Sequence, residues 1–167
     1  MGKKRDLLMK DISSRLSYGI ICRVKYIINN ETTDGEDVES EVDDKITAID
    51  TEYNEVKTEW LNEWNSIDNI RPYLRPLSSM TDDEKKQLYV DVMKGHDEDY
   101  EEFKKAYPDD LRYLMTKYCF SDAFLVVDWM NEHHFDYRGL IEKGLAIEEG
   151  TLKKMIYYGK RRSDKKN

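Results

Sequence analysis

The sequence predicts an α+β protein in which a small antiparallel β-meander, or SH3-like partial barrel, is followed by a helical half. In residues 18–28 every second side chain is apolar, and the positions between include Arg23 and Lys25, as in a half-buried strand with a cationic outer face. Two apolar arms then flank a polar turn at residues 51–54, which is typical of a hairpin. From Ser79 onward, apolar residues recur at helical spacing instead.

Composition predicts a folded, heavily charged protein of one or two small domains. The chain has 167 residues, of which 39% are hydrophobic and 37% charged, and it carries 12 Tyr, 4 Phe and 3 Trp. Cys22 and Cys119 lie among apolar neighbours, so we expect small buried hydrophobes in a reduced protein and no disulfide framework. No segment reaches the ~20 apolar residues of a membrane span or resembles a signal-peptide core, so we expect a cytoplasmic protein without membrane contact.

The N-terminal half is predicted to form the β-rich domain, residues 1–77. Leu8, Ile12 and Leu16 recur at helical spacing ahead of the strand at 18–28. Residues 29–45 are rich in Asp and Glu and poor in apolar side chains, which predicts an exposed, mobile loop. The hairpin follows, and a short strand with one 3₁₀ turn is expected to end the meander before Pro76.

Residues 78–158 are predicted to form the helical part, followed by a basic, disordered tail over 159–167. Thr81 and Glu84 have the spacing of a capping box at the start of a helix that Gly95 ends. The most apolar helix follows Ser121, and we expect its Trp129 to be buried. The other predicted elements are helices at 98–106, 109–118 and 137–144, and a final strand at 145–147.

Charge is distributed unevenly along the chain, whose net charge is -8. Residues 1–25 hold seven basic and two acidic groups, and residues 151–167 hold seven basic groups and one acidic group. The residues between them are therefore strongly acidic. Basic ends of this kind either keep an acidic body soluble or attract phosphate groups.

Three stretches resemble an uncharacterised protein family that recurs in gut Bacteroidetes, their bacteriophages and mobile elements. They are KDISSRLSYGIICRV at residues 10–24, PYLRPLSSMT at 72–81 and NEHHFDYRGLIEKGLAIE at 131–148. The resemblance covers about a third of the chain. It implies a setting, phage or mobile-element biology inside a bacterial cytoplasm, and it carries over no ligand, partner or catalytic residue.

The nearest approach to a catalytic signature is the pair His133 and His134, with Asp128 before it and Asp136 after it. Imidazole and carboxylate groups together can bind a metal or move protons near neutral pH. Adjacent helical residues, however, point about 100° apart, and a histidine at a helix C-terminus is usually explained by the helix dipole. We therefore favour a structural role, and we assign no catalytic residue, metal site or cofactor.

Three arginines pose a choice between binding an anion and internal pairing. Arg138, next to Asp136 and Tyr137, offers a bidentate fork, for which a local ion pair with Asp136 or Glu142 is the simpler interpretation. Arg71 and Arg75 pose the same choice, and the acidic body favours internal pairing. Walker, GxGxxG, GxSxG and CxxC motifs are absent from the sequence, so the chemistries they indicate lack their usual parts.

Three hypotheses remain open at this stage. The favoured one is a non-enzymatic accessory protein that binds a protein partner, with Arg71, Arg75, His133, His134, Asp136, Tyr137 and Arg138 as candidate binding residues. The second is a nucleic-acid-binding accessory protein that uses Arg23, Lys25, Lys160, Arg161 and Arg162. The third is a small hydrolase or metal enzyme built around His133 and His134.

Overall fold

A computed structural model describes residues 2–29, 37–92, 100–106 and 120–150 of the chain. The protein has an α+β fold that contains a mixed six-stranded sheet and several helices. It divides into unit 1, which combines Met1–Leu74 with Arg138–Asn167, and unit 2, which is Arg75–Tyr137. The helices are α1 Gly2–Arg15, α2 Asp82–Gln87, α3 Tyr100–Ala106 and α4 Phe120–Glu132. The strands are β1 Ile21–Asn29, β2 Asp37–Asp50, β3 Glu55–Thr58, β4 Trp64–Ser66, β5 Ile70–Leu74 and β6 Ile147–Glu148.

Unit 1 contains the predicted meander. Its strand order is β4-β3-β2-β1-β5-β6, and β1 to β4 pair antiparallel in sequence. A 3₁₀ turn, Ile67–Asn69, then leads into β5, which returns to pair antiparallel with β1. The sheet stays open, because β4 and β6 are its edge strands, and β6 pairs in parallel with β5.

The acidic segment departs from its predicted structure. Residues 29–45 were expected to form a loop, but Asp37–Asp50 is a continuous strand that pairs with β1 and, beyond a register shift, with β3. Two carboxylates of its first half lie opposite basic side chains of β1: Asp43 faces Arg23, and Glu41 faces Lys25. A strand rich in Asp and Glu is stabilised here by cross-strand charge pairs. Residues 30–36 lie outside the described residues.

The core of unit 1 lies between α1 and one face of the sheet. Leu8, Met9 and Ile12 of α1 contribute to it, together with apolar residues from β1, β2, β3 and β5. Leu140 and Ala146 also belong to this core, so residues 138–150 are part of unit 1, whereas the sequence assigned them to the helical part. The helix predicted at 137–144 is instead a series of turns, and the final strand begins at residue 147.

Cys22 lies on the inner face of β1 with no exposed surface. Burial, together with the nearby charges of Asp44 and Asp43, raises the pKa of its thiol to about 12. The expectation of a small buried hydrophobe is therefore confirmed for Cys22, whereas Cys119 lies outside the described residues. None of the helices in the described part of the chain is long and apolar enough to cross a membrane.

Unit 2 begins with the predicted capping box. The hydroxyl of Thr81 accepts a hydrogen bond from the backbone N–H of Glu84, whose carboxylate accepts one from the N–H of Thr81. Val126, Trp129 and Met130 of α4 pack with Met80, Leu88 and Phe135 in a second apolar core, and Trp129 is buried as predicted. The predicted end at Gly95, the helix at 109–118 and the tail at 159–167 lie outside the described residues.

Candidate functional site

Arg23, Lys25 and Arg71 lie on the face of the sheet turned away from the unit 1 core, and together we call them the basic face. Arg23 and Lys25 alternate with the buried Cys22 and Val24 along β1. Arg71 of β5 lies directly opposite Arg23. From the sequence, Arg71 was a candidate for binding an anion, and Arg23 and Lys25 were candidates for binding nucleic acid. The structure places all three residues on one surface.

Two members of the basic face are neutralised by β2. The Nε of Arg23 donates a hydrogen bond of 2.9 Å to Oδ1 of Asp43, and Nζ of Lys25 lies 3.5 Å from Oε1 of Glu41. The acidic segment, predicted as a separate loop, therefore supplies the counter-charges for the strand predicted to contact phosphate. The nucleic-acid candidates Lys160, Arg161 and Arg162 lie outside the described residues.

Tyr73 of β5 holds this ion pair in place. Its hydroxyl donates a hydrogen bond of 2.8 Å to Oδ1 of Asp43 and accepts one from Nη2 of Arg23. Burial raises the pKa of Tyr73 well above its usual value, and the hydrogen bond to Asp43 raises it further. The phenol therefore remains a donor throughout the physiological range and fixes the orientation of the Asp43 carboxylate.

Arg71 differs from its neighbours because no carboxylate partner is found for it among the described residues. Its side chain is exposed at a small concave site of about 200 Å³ that Arg23 and Lys25 also line. The rest of the wall is formed by Glu41, Asp68, Asn69 and Ile147. The internal pairing that we predicted for Arg71 is thus not seen in the described structure.

Arg75 does pair internally, as the sequence indicated. In unit 2 its Nη1 and Nη2 donate hydrogen bonds of 2.7 and 3.0 Å to the two carboxylate oxygens of Glu84. The guanidinium also lies 4.2 Å from the centre of the Phe135 ring, and the Arg75 backbone bonds to that of His134 and Asp136. Arg75 is therefore a structural residue of unit 2, and Glu84 serves both this ion pair and the cap of α2.

The Arg75–Glu84 pair makes unit 2 sensitive to acid. The hydrogen bond from Arg75 lowers the pKa of Glu84 from 4.5 to about 2. A carboxyl group with a lowered pKa stabilises the fold fully above about pH 5, and this contribution is lost as the pH falls towards 2. We expect Glu84→Gln to lower the free energy of unfolding by on the order of 3 kcal/mol at pH 7.

The measurement is the free energy of unfolding of the wild type and of Glu84→Gln between pH 7 and pH 2. Glutamine keeps the size of the side chain and its capping hydrogen bond, so the comparison isolates the charge. The difference between the two proteins should shrink between pH 5 and pH 2. A difference that stayed constant with pH would show that the charge of Glu84 contributes little.

His133 belongs to an aromatic stack in unit 2. Its ring lies 4.0 Å from that of Trp129, centre to centre, and Trp129 in turn stacks 5.7 Å from Phe135. Nδ1 of His133 is 2.9 Å from the carbonyl oxygen of Trp129, one helical turn earlier. His134 follows with a φ of 57° as α4 ends. In the described ranges, no group of three or more His, Cys, Asp or Glu side chains could hold a metal ion.

The remaining candidates separate into the two units. In unit 2, Asp136 is buried, and the Tyr137 hydroxyl donates a hydrogen bond of 3.0 Å to Oδ1 of Asn131. In unit 1, Nε of Arg138 lies 3.6 Å from Oδ1 of Asp11. The sequence led us to expect Asp136 or Glu142 as the partner of Arg138, and the structure also places Arg138 beside a carboxylate more than a hundred residues away in the chain.

Asp11 also forms a buried ion pair that the sequence analysis missed. Nε and Nη2 of Arg15 donate hydrogen bonds of 2.8 and 3.1 Å to the two oxygens of Asp11, and both side chains have no exposed surface. The spacing in the sequence could have predicted this pair, because Asp11 and Arg15 share a helix face with the buried Leu8 and Ile12. Arg15 is therefore part of the protein interior and not of an exposed basic end.

A second group of exposed side chains lies on β3, β4 and the turns beside them, residues 50–64, which we call the aromatic hairpin. Tyr53 and Trp60 are each 68% exposed and Trp64 is 46% exposed. The same residues carry five carboxylates and a single cation, Lys57. None of those carboxylates forms an ion pair in the part of the chain that the structure describes. The acidic side chains are Asp50, Glu52, Glu55, Glu59 and Glu63.

The backbone of the aromatic hairpin is firmly held. The buried carboxylate of Asp44 accepts hydrogen bonds from the amides of Trp60, at 2.9 Å, and Leu61, at 3.1 Å. Burial acts to raise the pKa of Asp44, but the hydrogen bonds it accepts outweigh burial and lower the pKa. In the turn at residues 51–54, the carboxylate of Asp50 accepts a hydrogen bond from the amide of Tyr53. The aromatic side chains therefore project from fixed positions.

Both candidate surfaces, the site at Arg71 and the aromatic hairpin, belong to unit 1. In comparisons with known proteins, no family model, no curated protein and no solved structure matches this chain. The geometry and charge of these two surfaces are therefore the basis for inferring the function of the protein.

Proposed function

We propose that the protein is a non-enzymatic interaction protein whose aromatic hairpin binds a basic segment of a protein partner. One observation carries the proposal. Three exposed aromatic side chains occur within residues 50–64, together with five carboxylates that have no ion-pair partner among the described residues. A single exposed apolar residue means little, but aromatic residues grouped on one hairpin are typical of binding surfaces.

The charge of the hairpin indicates the chemistry of the partner. Elsewhere in unit 1 the exposed carboxylates Asp43 and Asp68 are paired with Arg23 and Arg5. The acids of the aromatic hairpin lack such partners in the described structure, so a cationic segment would complement them. Arginine and lysine side chains also stack on indole and phenol rings, to which a cation is attracted. We therefore favour a partner segment rich in Arg and Lys.

The rigidity of the hairpin supports binding without extensive rearrangement. The amide of Trp60 is held by Asp44, while the indole itself is largely exposed. Trp64 lies on β4, opposite Lys57 of β3. A surface that is already ordered loses less conformational entropy on association than a mobile loop does. Binding energy can then be concentrated on the tryptophans, which are frequent hot spots of interfaces.

We expect the double variant Trp60→Ala/Trp64→Ala to bind a synthetic peptide rich in Arg and Lys about 30-fold more weakly than the wild type does. This corresponds to the loss of one hot spot of about 2 kcal/mol. The measurement is isothermal titration calorimetry with the full chain at physiological salt. Both side chains are exposed, so the fold should be retained, which circular dichroism checks.

The control variant is Glu59→Gln/Glu63→Gln. It should weaken binding only several-fold and reduce the dependence of affinity on salt, because exposed charges are screened. The aromatic double variant keeps the net charge of the wild type, so non-specific attraction cannot explain a loss that is specific to it. Equal affinity of the wild type and the aromatic variant would contradict the proposal.

The other two hypotheses gain less support from the described residues. A nucleic-acid surface needs several cations that are available to phosphate groups, yet Arg23 and Lys25 already have carboxylate partners. A metal enzyme would need ligands converging around His133, which instead stacks on Trp129. The phage or mobile-element setting implied by the resemblance stays a prediction.

A further inference from the structure

The site at Arg71, apart from the aromatic hairpin, carries a positive charge that is not balanced within the described structure. Arg71 lies directly across from Arg23 in the β1–β5 register. Like charges directly opposite each other on neighbouring strands are destabilising. Arg23 is compensated by Asp43, whereas Arg71 has no ion-pair partner in the described ranges. An anion from solution would relieve this imbalance.

The balance of charge around the site sets the charge of such an anion. The cations Arg23, Lys25 and Arg71 line the site together with the carboxylates of Glu41 and Asp68. Of these, Arg23 and Lys25 are paired with Asp43 and Glu41, and Asp68 is paired with Arg5. One positive charge, that of Arg71, is therefore left in excess. A ligand with a single negative charge would balance the site, while a dianion would be repelled by the two carboxylates.

The size and walls of the site restrict the ligand further. Its volume of about 200 Å³ is smaller than the ~300 Å³ at which sites for drug-sized ligands begin. A guanidinium group forms two parallel hydrogen bonds with a planar carboxylate. Ile147 offers an apolar surface on the same wall, and Asn69 offers an amide.

We propose that this site binds the carboxylate of a small monocarboxylic acid, with Arg71 holding the carboxylate and Ile147 contacting a short apolar chain. The proposal goes beyond the binding of a basic partner, because it concerns a different part of the sheet and a ligand of the opposite charge. Arg71 is exposed, and its side chain is not used by the fold in the described structure. It can therefore be changed without disturbing the core.

The experiment is an NMR titration of the full chain, labelled with ¹⁵N, at constant ionic strength. The probes are butyrate, its neutral analogue butyramide, and inorganic phosphate. We expect saturable shifts of the backbone amides of residues 69–71 and of Tyr73 with butyrate, none with butyramide, and weaker binding of phosphate. Arg71→Gln should lower the affinity for butyrate about tenfold or more, since a hydrogen bond to a charged group is lost.

Lys10→Gln is the matched control, because it removes one positive charge from an exposed position of α1 in unit 1, outside the site. It should bind butyrate as the wild type does. Unchanged affinity in Arg71→Gln, or an equal loss in Lys10→Gln, would overturn the assignment to Arg71. Phosphate binding more tightly than butyrate would overturn the assignment of a monocarboxylate.

Discussion

Replacing Asp11 with alanine is expected to lower the free energy of unfolding by about 3–5 kcal/mol. Asp11 and Arg15 have no exposed surface, and two hydrogen bonds join them. The substitution removes the carboxylate that neutralises the Arg15 guanidinium while leaving that cation buried. Breaking a buried pair in this way costs far more than the pair itself contributes. Urea denaturation of the two proteins measures the difference.

The matched control is Asp68→Ala, which breaks the ion pair between Arg5 and Asp68. Both partners of that pair are almost half exposed, with side-chain exposures of 44% and 47%. Water can solvate Arg5 after the change, so the expected loss is at most about 1 kcal/mol. Similar losses for the two substitutions would mean that the interior around Asp11 is as well solvated as the surface.

Replacing Trp129 with alanine is expected to cost about 3–5 kcal/mol as well. Trp129 is 6% exposed, lies in the core of unit 2, and stacks between His133 and Phe135. Its loss would leave a cavity and separate these two rings. Differential scanning calorimetry should show a large fall in the melting temperature.

Trp129→Phe serves as the control for this substitution. A phenyl ring keeps aromatic stacking and removes the indole N–H, a buried group for which no hydrogen-bond partner is found among the described residues. Phenylalanine should therefore cost much less than alanine. An alanine variant with the melting temperature of the wild type would show that the stack contributes little to stability.

Local sequence signals predicted the elements that depend on neighbours in the chain. The capping box at Thr81, the hairpin around the turn at 51–54, the 3₁₀ turn before β5 and the burial of Trp129 were all confirmed. In each case the hydrogen bonds or apolar contacts involve residues close in sequence or a face of one helix. A short stretch of sequence therefore contains all the residues needed for such a prediction.

The missed features depend on partners distant in sequence. Asp37–Asp50 has the composition of a loop and forms a strand because β1 supplies Arg23 and Lys25 opposite its carboxylates. Arg71 and Arg75 have the same residue type and similar surroundings in sequence, yet only Arg75 meets a carboxylate, that of Glu84. Their difference arises from which neighbour the fold brings within reach, and the sequence alone carries no direct signal for that.

The backbone contacts of Arg75 affect the order in which the protein forms during synthesis. The whole of unit 2 leaves the ribosome between the two segments of unit 1, so β5 is made long before its neighbour β6. The amide of Arg75 bonds to His134, and the carbonyl of Arg75 accepts from Asp136, at the two ends of unit 2. Folding of unit 2 thus closes a long loop and shortens the effective chain between β5 and β6. The loop-closure entropy for completing the sheet falls accordingly, so a nascent chain gains the last strand of unit 1 most readily after unit 2 has folded.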